Sequence, residues 1–267
     1  MSRVLHISDP HFGTERKNVA AALQRFVQDA RPDLIVLTGD ITQRARRSQF
    51  ASARDFLAGL PAPVLAVPGN HDIPLFNILL RVFNPYGNYR RAFGNVLEPV
   101  FESEDLLVLG VNTSRAGNHK DGEVSTVQIA RVATRLAGAT PRQLRVVAQH
   151  HPVRAHTETD LSNLLIGREH AIPAWVDAGM DILLAGHIQL SYVHPLGGNS
   201  GATGWTVQAG TALSSRVRGN VPNSVNLIHY RASGNLPHCS VERWDHIADE
   251  DCFRLVEDRP LELSRAL

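Results

Sequence analysis

Five short patches of metal-seeking side chains each close an apolar run, and this recurrence constrains the fold more than any other feature of the chain. The patches are Asp9-Pro10-His11, Gly39-Asp40, Gly69-Asn70-His71-Asp72, His150-His151-Pro152 and Gly186-His187-Ile188-Gln189. The runs before them (residues 4–7, 34–37, 64–67, 145–148 and 181–185) are short and mostly apolar, the pattern of strands buried on both faces. Segments with apolar residues at helical spacing, 19–30, 50–60, 127–136 and 172–178, alternate with them. Such alternation predicts parallel β-α-β units. Ligand sites in parallel sheets form beyond the carboxyl ends of the strands, so all five patches are expected at one sheet edge.

A chain of 267 residues is long enough to bury a sizeable core, and we read it as a single domain over residues 1–267. With 43% hydrophobic and 20% charged residues, disorder is not indicated. The net charge of +1 argues against nucleic-acid binding, which would call for a strongly basic surface. Only two cysteines, Cys239 and Cys252, are present, so a disulfide framework is not expected and a reducing compartment is. No run is apolar for long enough to span a membrane and no leader is recognised. The expectation is a cytoplasmic protein.

Residues 73–101 break the rhythm and read as an insertion that overhangs the strand tips, with a helix over 73–83 and a turn at 84–87. Its apolar residues Leu75, Phe76, Ile78, Leu79, Leu80 and Val82 discriminate between functions. Their burial would favour a small substrate, and their exposure an acyl or membrane contact. Tyr86 and Tyr89 either stack on a base or are buried against the insertion's own apolar residues; Arg44, Arg46 and Arg47 either steer a phosphate or form a solvated helix start; and Arg115 ends another strand that could approach the site. After Gln189, alternating segments at 192–196, 205–209, 225–230 and 238–244 predict antiparallel strands over about 190–246. The charged stretch from Ile247 reads as a tail or clasp.

The patches supply carboxylates, one amide and several imidazoles, a donor set for Mn, Fe, Zn or Mg rather than for a thiolate-rich structural zinc. Asp9 and His11 lie two apart in an extended turn stiffened by Pro10, and can approach one ion from the same side. Gly39 and Gly69 permit tight turns that carry Asp40 and Asn70 over the sheet edge. Alone, Asp9 or Asp40 would more often be a helix cap, and His11, His150 or His187 a hydrogen-bonded structural histidine. Five such patches at strand ends argue for one joint site.

Taken together, the series D-x-H, G-D, G-N-H-[DE], H and G-H resembles the calcineurin-like metallophosphoesterases, most of all the bacterial class III cyclic-nucleotide phosphodiesterases. Gln208-Ala209-Gly210-Thr211-Ala212 resembles the C-terminal region of that branch. The resemblance implies an α/β fold, a four-layer α-β-β-α sandwich of mixed sheets with flanking helices. It also implies two divalent metal ions, one held by Asp9, His11, Asp40 and the last residue of G-H-x-H. The other would be held by Asp40, Asn70, His150 and His187, with Asp40 bridging. His71 would donate to the phosphate or leaving oxygen, and Asp72 would orient His71. His151 would not be a ligand. Gln189 stands where the family has a histidine, and is either a weaker amide ligand or turned away. The implied chemistry is hydrolysis of a small phosphodiester by a metal-bridging hydroxide. A pyrophosphate hydrolase acting on a lipid-linked or nucleotide-sugar substrate and a catalytically weakened metal-binding scaffold are the alternatives.

Overall fold

The computed structural model describes residues 1–232 and 237–264. Up to residue 185 its elements run β1 (Ser2–Ile7), α1 (Lys17–Ala30), β2 (Leu34–Thr38), α2 (Arg47–Ala58), β3 (Val64–Val67), α3 (Ile78–Phe83), α4 (Gly87–Phe93), β4 (Val100–Glu102), β5 (Leu106–Gly110), α5 (Thr126–Ala137), β6 (Leu144–Ala148), α6 (Arg168–Asp177) and β7 (Ile182–Ala185). Five strands follow: β8 (Tyr192–Gly197), β9 (Thr203–Gln208), β10 (Ser224–Arg231), β11 (His238–Ile247) and β12 (Cys252–Leu261).

The strands form two six-stranded mixed sheets, ordered β12-β11-β10-β1-β2-β3 and β4-β5-β6-β7-β9-β8. Successive residues of β2 show why its run is continuously apolar. Leu34 and Val36 face the other sheet, packing with Val108, Val146 and Leu184. Ile35 and Leu37 face outward, under Leu23 of α1 and Phe50 of α2. On the far side, Val147 and Leu183 pack beneath Val132 of α5 and Trp175 of α6. Both faces of the central strands are thus removed from water, and the result is the four-layer α-β-β-α sandwich that the resemblance implied.

Three local expectations are corrected. β9 joins β7 in parallel, Leu184 opposite Val207, although β8 and β9 pair antiparallel as expected. The charged stretch after Ile247 is neither tail nor clasp but the long edge strand β12, paired with β11 from Cys252↔Ile247 to Leu261↔Cys239. Charged residues such as Arg254, Glu257 and Asp258, with Pro260, guard this edge against further pairing. In the insertion, the helix starts at Ile78 rather than at residue 73, because Asn77 caps it by accepting from Leu80 N at 3.0 Å.

The insertion divides into two unlike halves. α4 is anchored: Tyr89 and Phe93 pack on Phe50 of α2. No residue of α3 is buried.

Candidate metal centre

β1, β2 and β3 run parallel in one sheet, as do β5, β6 and β7 in the other. The carboxyl ends of β1, β2, β3, β6 and β7 converge where the two sheets meet. The turns are tied together by backbone bonds, from Asp9 N to Gly39 O, His11 N to Asp40 O and Gly186 N to His150 O. All five patches are brought to one place.

Glycine is required at two of these turns. Gly39 has φ +81°, and a Cβ there would sit 2.5 Å from His150 Nδ1. A Cβ on Gly69 would overlap the backbone of Asp40. The donor residues themselves are strained: Asp9 (φ 49°), His11 (44°), Asp40 (47°), His187 (72°) and Gln189 (58°) are all left-handed. A residue with a Cβ resists that conformation by on the order of 1 kcal/mol, and keeps it only where its surroundings over-determine it.

Asp40 lies at the centre. Its Oδ1 is 3.3 Å from His150 Nε2, and its Oδ2 is 3.8 Å from His11 Nε2. One carboxylate therefore faces two separate imidazole groups. On the first side, His150 Nε2 is 3.2 Å from Asn70 Oδ1 and 3.3 Å from His187 Nδ1. His150 Nδ1 donates to Thr38 O at 2.8 Å, which leaves the Nε2 lone pair for the site. Asn70 Nδ2 donates to His119 O, which turns Oδ1 inward. On the second side, His11 Nε2 is 3.7 Å from Asp9 Oδ1. Asp9 Oδ2 accepts from Ser8 Oγ and from His187 N.

The spacings of 3.2–3.3 Å on the first side fit one metal ion, whereas those of 3.7 and 3.8 Å on the second side are wider. Two donors each about 2.1 Å from one ion, at octahedral to tetrahedral angles, stand roughly 3.0–3.4 Å apart. The electrostatics agree. Burial disfavours the Asp40 carboxylate, yet His150, His71 and His11 around it hold it well below the usual range. Burial likewise disfavours the His150 cation, but Asp40 and Asp9 lift it to about 9. His187 is pushed down to about 4, by burial and then by His150. The carboxylates thus demand positive charge at this spot.

His71 lies beside this cluster, its ring edge-on to His11 with centroids 5.0 Å apart. Its Nδ1 hydrogen-bonds Gln43 O at 3.0 Å, so Nε2 is left for the cleft. Asp72 does not touch that ring, contrary to expectation. Its carboxylate accepts from Ile41 N, Thr42 N, Thr42 Oγ1 and Gly69 N at 2.8–3.1 Å. Asp72 therefore clamps the turns that carry Asp40 and Asn70. Burial and the nearby Asp40 push it up to about 6. His151 sits within ligand distance of His150 and His187. Both its nitrogens are nonetheless engaged, Nδ1 with Thr113 Oγ1 at 2.8 Å and Nε2 with Lys120 O at 3.0 Å.

Gln189 points into the site. Its Nε2 is 3.0 Å from His11 Nε2 and 3.5 Å from Asp9 Oδ1. In that pose the amide donates to the nitrogen an ion would use. Half a turn of the amide would put Oε1, a metal donor, in the same place.

The cluster floors a cleft of about 530 Å³. Its walls include His119 and Lys120 on one side and Arg216 and Arg218 on the other. Sequence reading missed these four, which lie in loops with no strand-end signal. Arg218 is paired with Asp160 at 2.7 Å, while Arg216 bonds the neutral Gln43. The tyrosines considered for base stacking are excluded: Tyr86 and Tyr89 are buried, bonded to Ser114 O and Ala66 O. Arg115 is held by Asn112 O, Ser114 O and Gln128.

The sequence model of the calcineurin-like phosphoesterase family matches residues 2–190, more than half of the chain. The chain belongs to this family. A probable glycerophosphodiester phosphodiesterase of Arcobacter nitrofigilis is 29% identical over 178 residues, 62% of this chain and 63% of that protein. A 3′,5′-cyclic adenosine monophosphate phosphodiesterase of Escherichia coli is 28% identical over 166 residues, 57% of this chain and 56% of that one. The chain thus spans less than two thirds of the length of these relatives. Among solved structures, a purple acid phosphatase from yellow lupin superposes with a TM-score of 0.74 at 13% identity, covering 98% of this chain and 53% of the other. That likeness shows the calcineurin-like phosphoesterase fold.

Proposed function

We propose that the chain is a metal-dependent hydrolase of small phosphodiesters, with cyclic nucleotides as candidate substrates. The observation that carries this reading is Asp40, whose two oxygens face two imidazole groups. Asp40, Asn70, His150 and His187 would hold one divalent ion, and Asp9, His11, Asp40 and Gln189 the other. Mn, Fe, Zn or Mg suits these oxygen and nitrogen donors. When bound, such ions offset phosphate charge and lower the pKa of water from about 15.7 toward about 7. His71 Nε2 supplies a proton or hydrogen bond to the departing oxygen. Lys120 and Arg216 draw the anionic substrate into the cleft. The phosphodiesterase names of the relatives from A. nitrofigilis and E. coli support the same bond type. Both described cysteines are unbridged, and the reading includes a cytoplasmic setting.

The test is turnover of a phosphodiester panel, including cyclic AMP and bis-p-nitrophenyl phosphate, by protein reconstituted with Mn, Mg, Fe, Zn or Co. Absence of turnover with every metal would sink the reading. One observation favours a second reading, hydrolysis of a lipid-linked or nucleotide-sugar pyrophosphate: the apolar side chains of α3 are exposed. A higher kcat/KM for an acylated nucleotide-sugar pyrophosphate than for cyclic AMP would select it. The scaffold reading predicts no bound metal after supplementation, which elemental analysis decides.

A further inference from the structure

Outside the metal cleft, the surface least explained by the fold is the turn and helix at residues 75–83. Phe76 is 78% exposed, Ile78 and Leu79 71% each, and Phe83 81%. Large apolar side chains gathered on one short element, with no core beneath them, mark a surface that is covered by something else.

The charge around this element is one-sided. Residues 41–54 and 73–97 contain seven arginines and no Asp or Glu, in a chain whose net charge is +1. Four of these arginines border the apolar residues. Arg44 lies over the Phe76 ring at 5.2 Å. With Arg46 it lines a shallow groove beside Phe76 and Leu80. Arg47 and Arg91 line the next groove, on the other side of Leu80. All four are exposed. Among the described residues none of them pairs with an acid, whereas Arg54 pairs with Asp55.

Two occupants would cover an apolar face, a second copy of this chain or a lipid surface. A twofold pairing of copies would bring the same arginines face to face, at an electrostatic cost. An anionic bilayer meets both features at once: headgroups for the arginines and acyl chains for Phe76, Ile78, Leu79 and Phe83. We propose that this face docks the protein on an anionic phospholipid surface. Asn70 and His71 share a small pocket with Leu75 and Arg81, so docking would bring the mouth of the metal cleft close to the lipid. The proposal does not depend on the reaction the cleft performs.

The test is co-sedimentation of the full, metal-free chain with vesicles of phosphatidylcholine, or of an equal mixture of phosphatidylcholine and phosphatidylglycerol, with no cyclic nucleotide or acylated pyrophosphate added. Binding is expected to the mixed vesicles, at least about tenfold above the neutral ones, and to weaken as salt rises. Phe76→Ser with Phe83→Ser should abolish binding and leave the circular dichroism spectrum and the metal content after reconstitution unchanged. Arg44→Gln with Arg91→Gln should weaken it by roughly tenfold or more, since each arginine near the surface contributes about fivefold. No binding by the parent chain, or equal binding by the serine variant, would overturn the proposal. So would a dimer in sedimentation velocity that the serine variant loses, because the face would then join two copies.

Discussion

The two halves of the proposed metal centre share Asp40 but are built to different standards. In the half made by Asn70, His150 and His187, each donor has a second contact that aims it: Thr38 O for His150, His119 O for Asn70, and Asp9 for the His187 backbone. In the half made by Asp9, His11 and Gln189, support is thinner. His11 Nδ1 is buried with no partner among the described residues, and the amide of Gln189 presses an N–H toward His11 Nε2. The contrast is one of aim: in a metal site the groups behind the donors fix their orientation, and that support is present in one half and sparse in the other. The first half is preorganised for an ion, and the second must turn its amide to receive one.

The largest expected effect falls on the shared residue. Asp40→Asn should reduce bound metal from about two ions per chain to less than one by elemental analysis, with loss of phosphodiester turnover. Retention of two ions would show that the halves are independent. His71→Ala should leave metal content intact and slow turnover by about 10²–10⁴, measured under saturating metal. Loss of metal instead would move His71 into the donor set. Gln189→His replaces the amide with an imidazole, and should tighten the weaker half on the order of tenfold in metal titration while leaving the stronger half unchanged. Equal affinity in parent and variant would show that Gln189 already serves.

A smaller effect concerns the support beneath the first half. His6 Nε2 bonds Thr38 Oγ1 at 2.9 Å, below the carbonyl that aims His150. Burial drops the His6 pKa to about 3. Its folded value lies below its unfolded value of about 6.5, so its neutral form contributes stability above that pH, lost progressively as pH falls toward 3. Between pH 7 and 5 the parent should lose about 2 kcal/mol more than His6→Gln in denaturant unfolding. Parallel pH profiles would show that His6 is not the cause.

Much of this was legible in sequence because it is local. A continuous apolar run needs two buried faces, and a Gly or Pro after it needs a turn, so strand ends and the candidate donors beyond them could be placed from residues alone. The role of Asp72 was not legible. Its bond from Gly69 N is local, three residues away, but how Ile41 and Thr42 approach from the turn after β2 is encoded by no spacing. The edge strand β12 was hidden for a similar reason. Only Phe253 and Leu261 of its residues are buried, and so its pattern looked like a charged tail. Lys120 and Arg216 lie on unrelated loops, and their shared cleft emerges only when both sheets are assembled.

By itself the sequence determined the strand-helix alternation, the donor types and their order along the chain, because hydrophobic periodicity and ligand chemistry are properties of neighbouring residues. Only the tertiary structure decided that Asp40 faces both imidazole groups, that Gln189 turns inward, and that α3 buries no residue against the core. Each of those depends on distances between segments far apart in the chain, set by the packing of one sheet against the other.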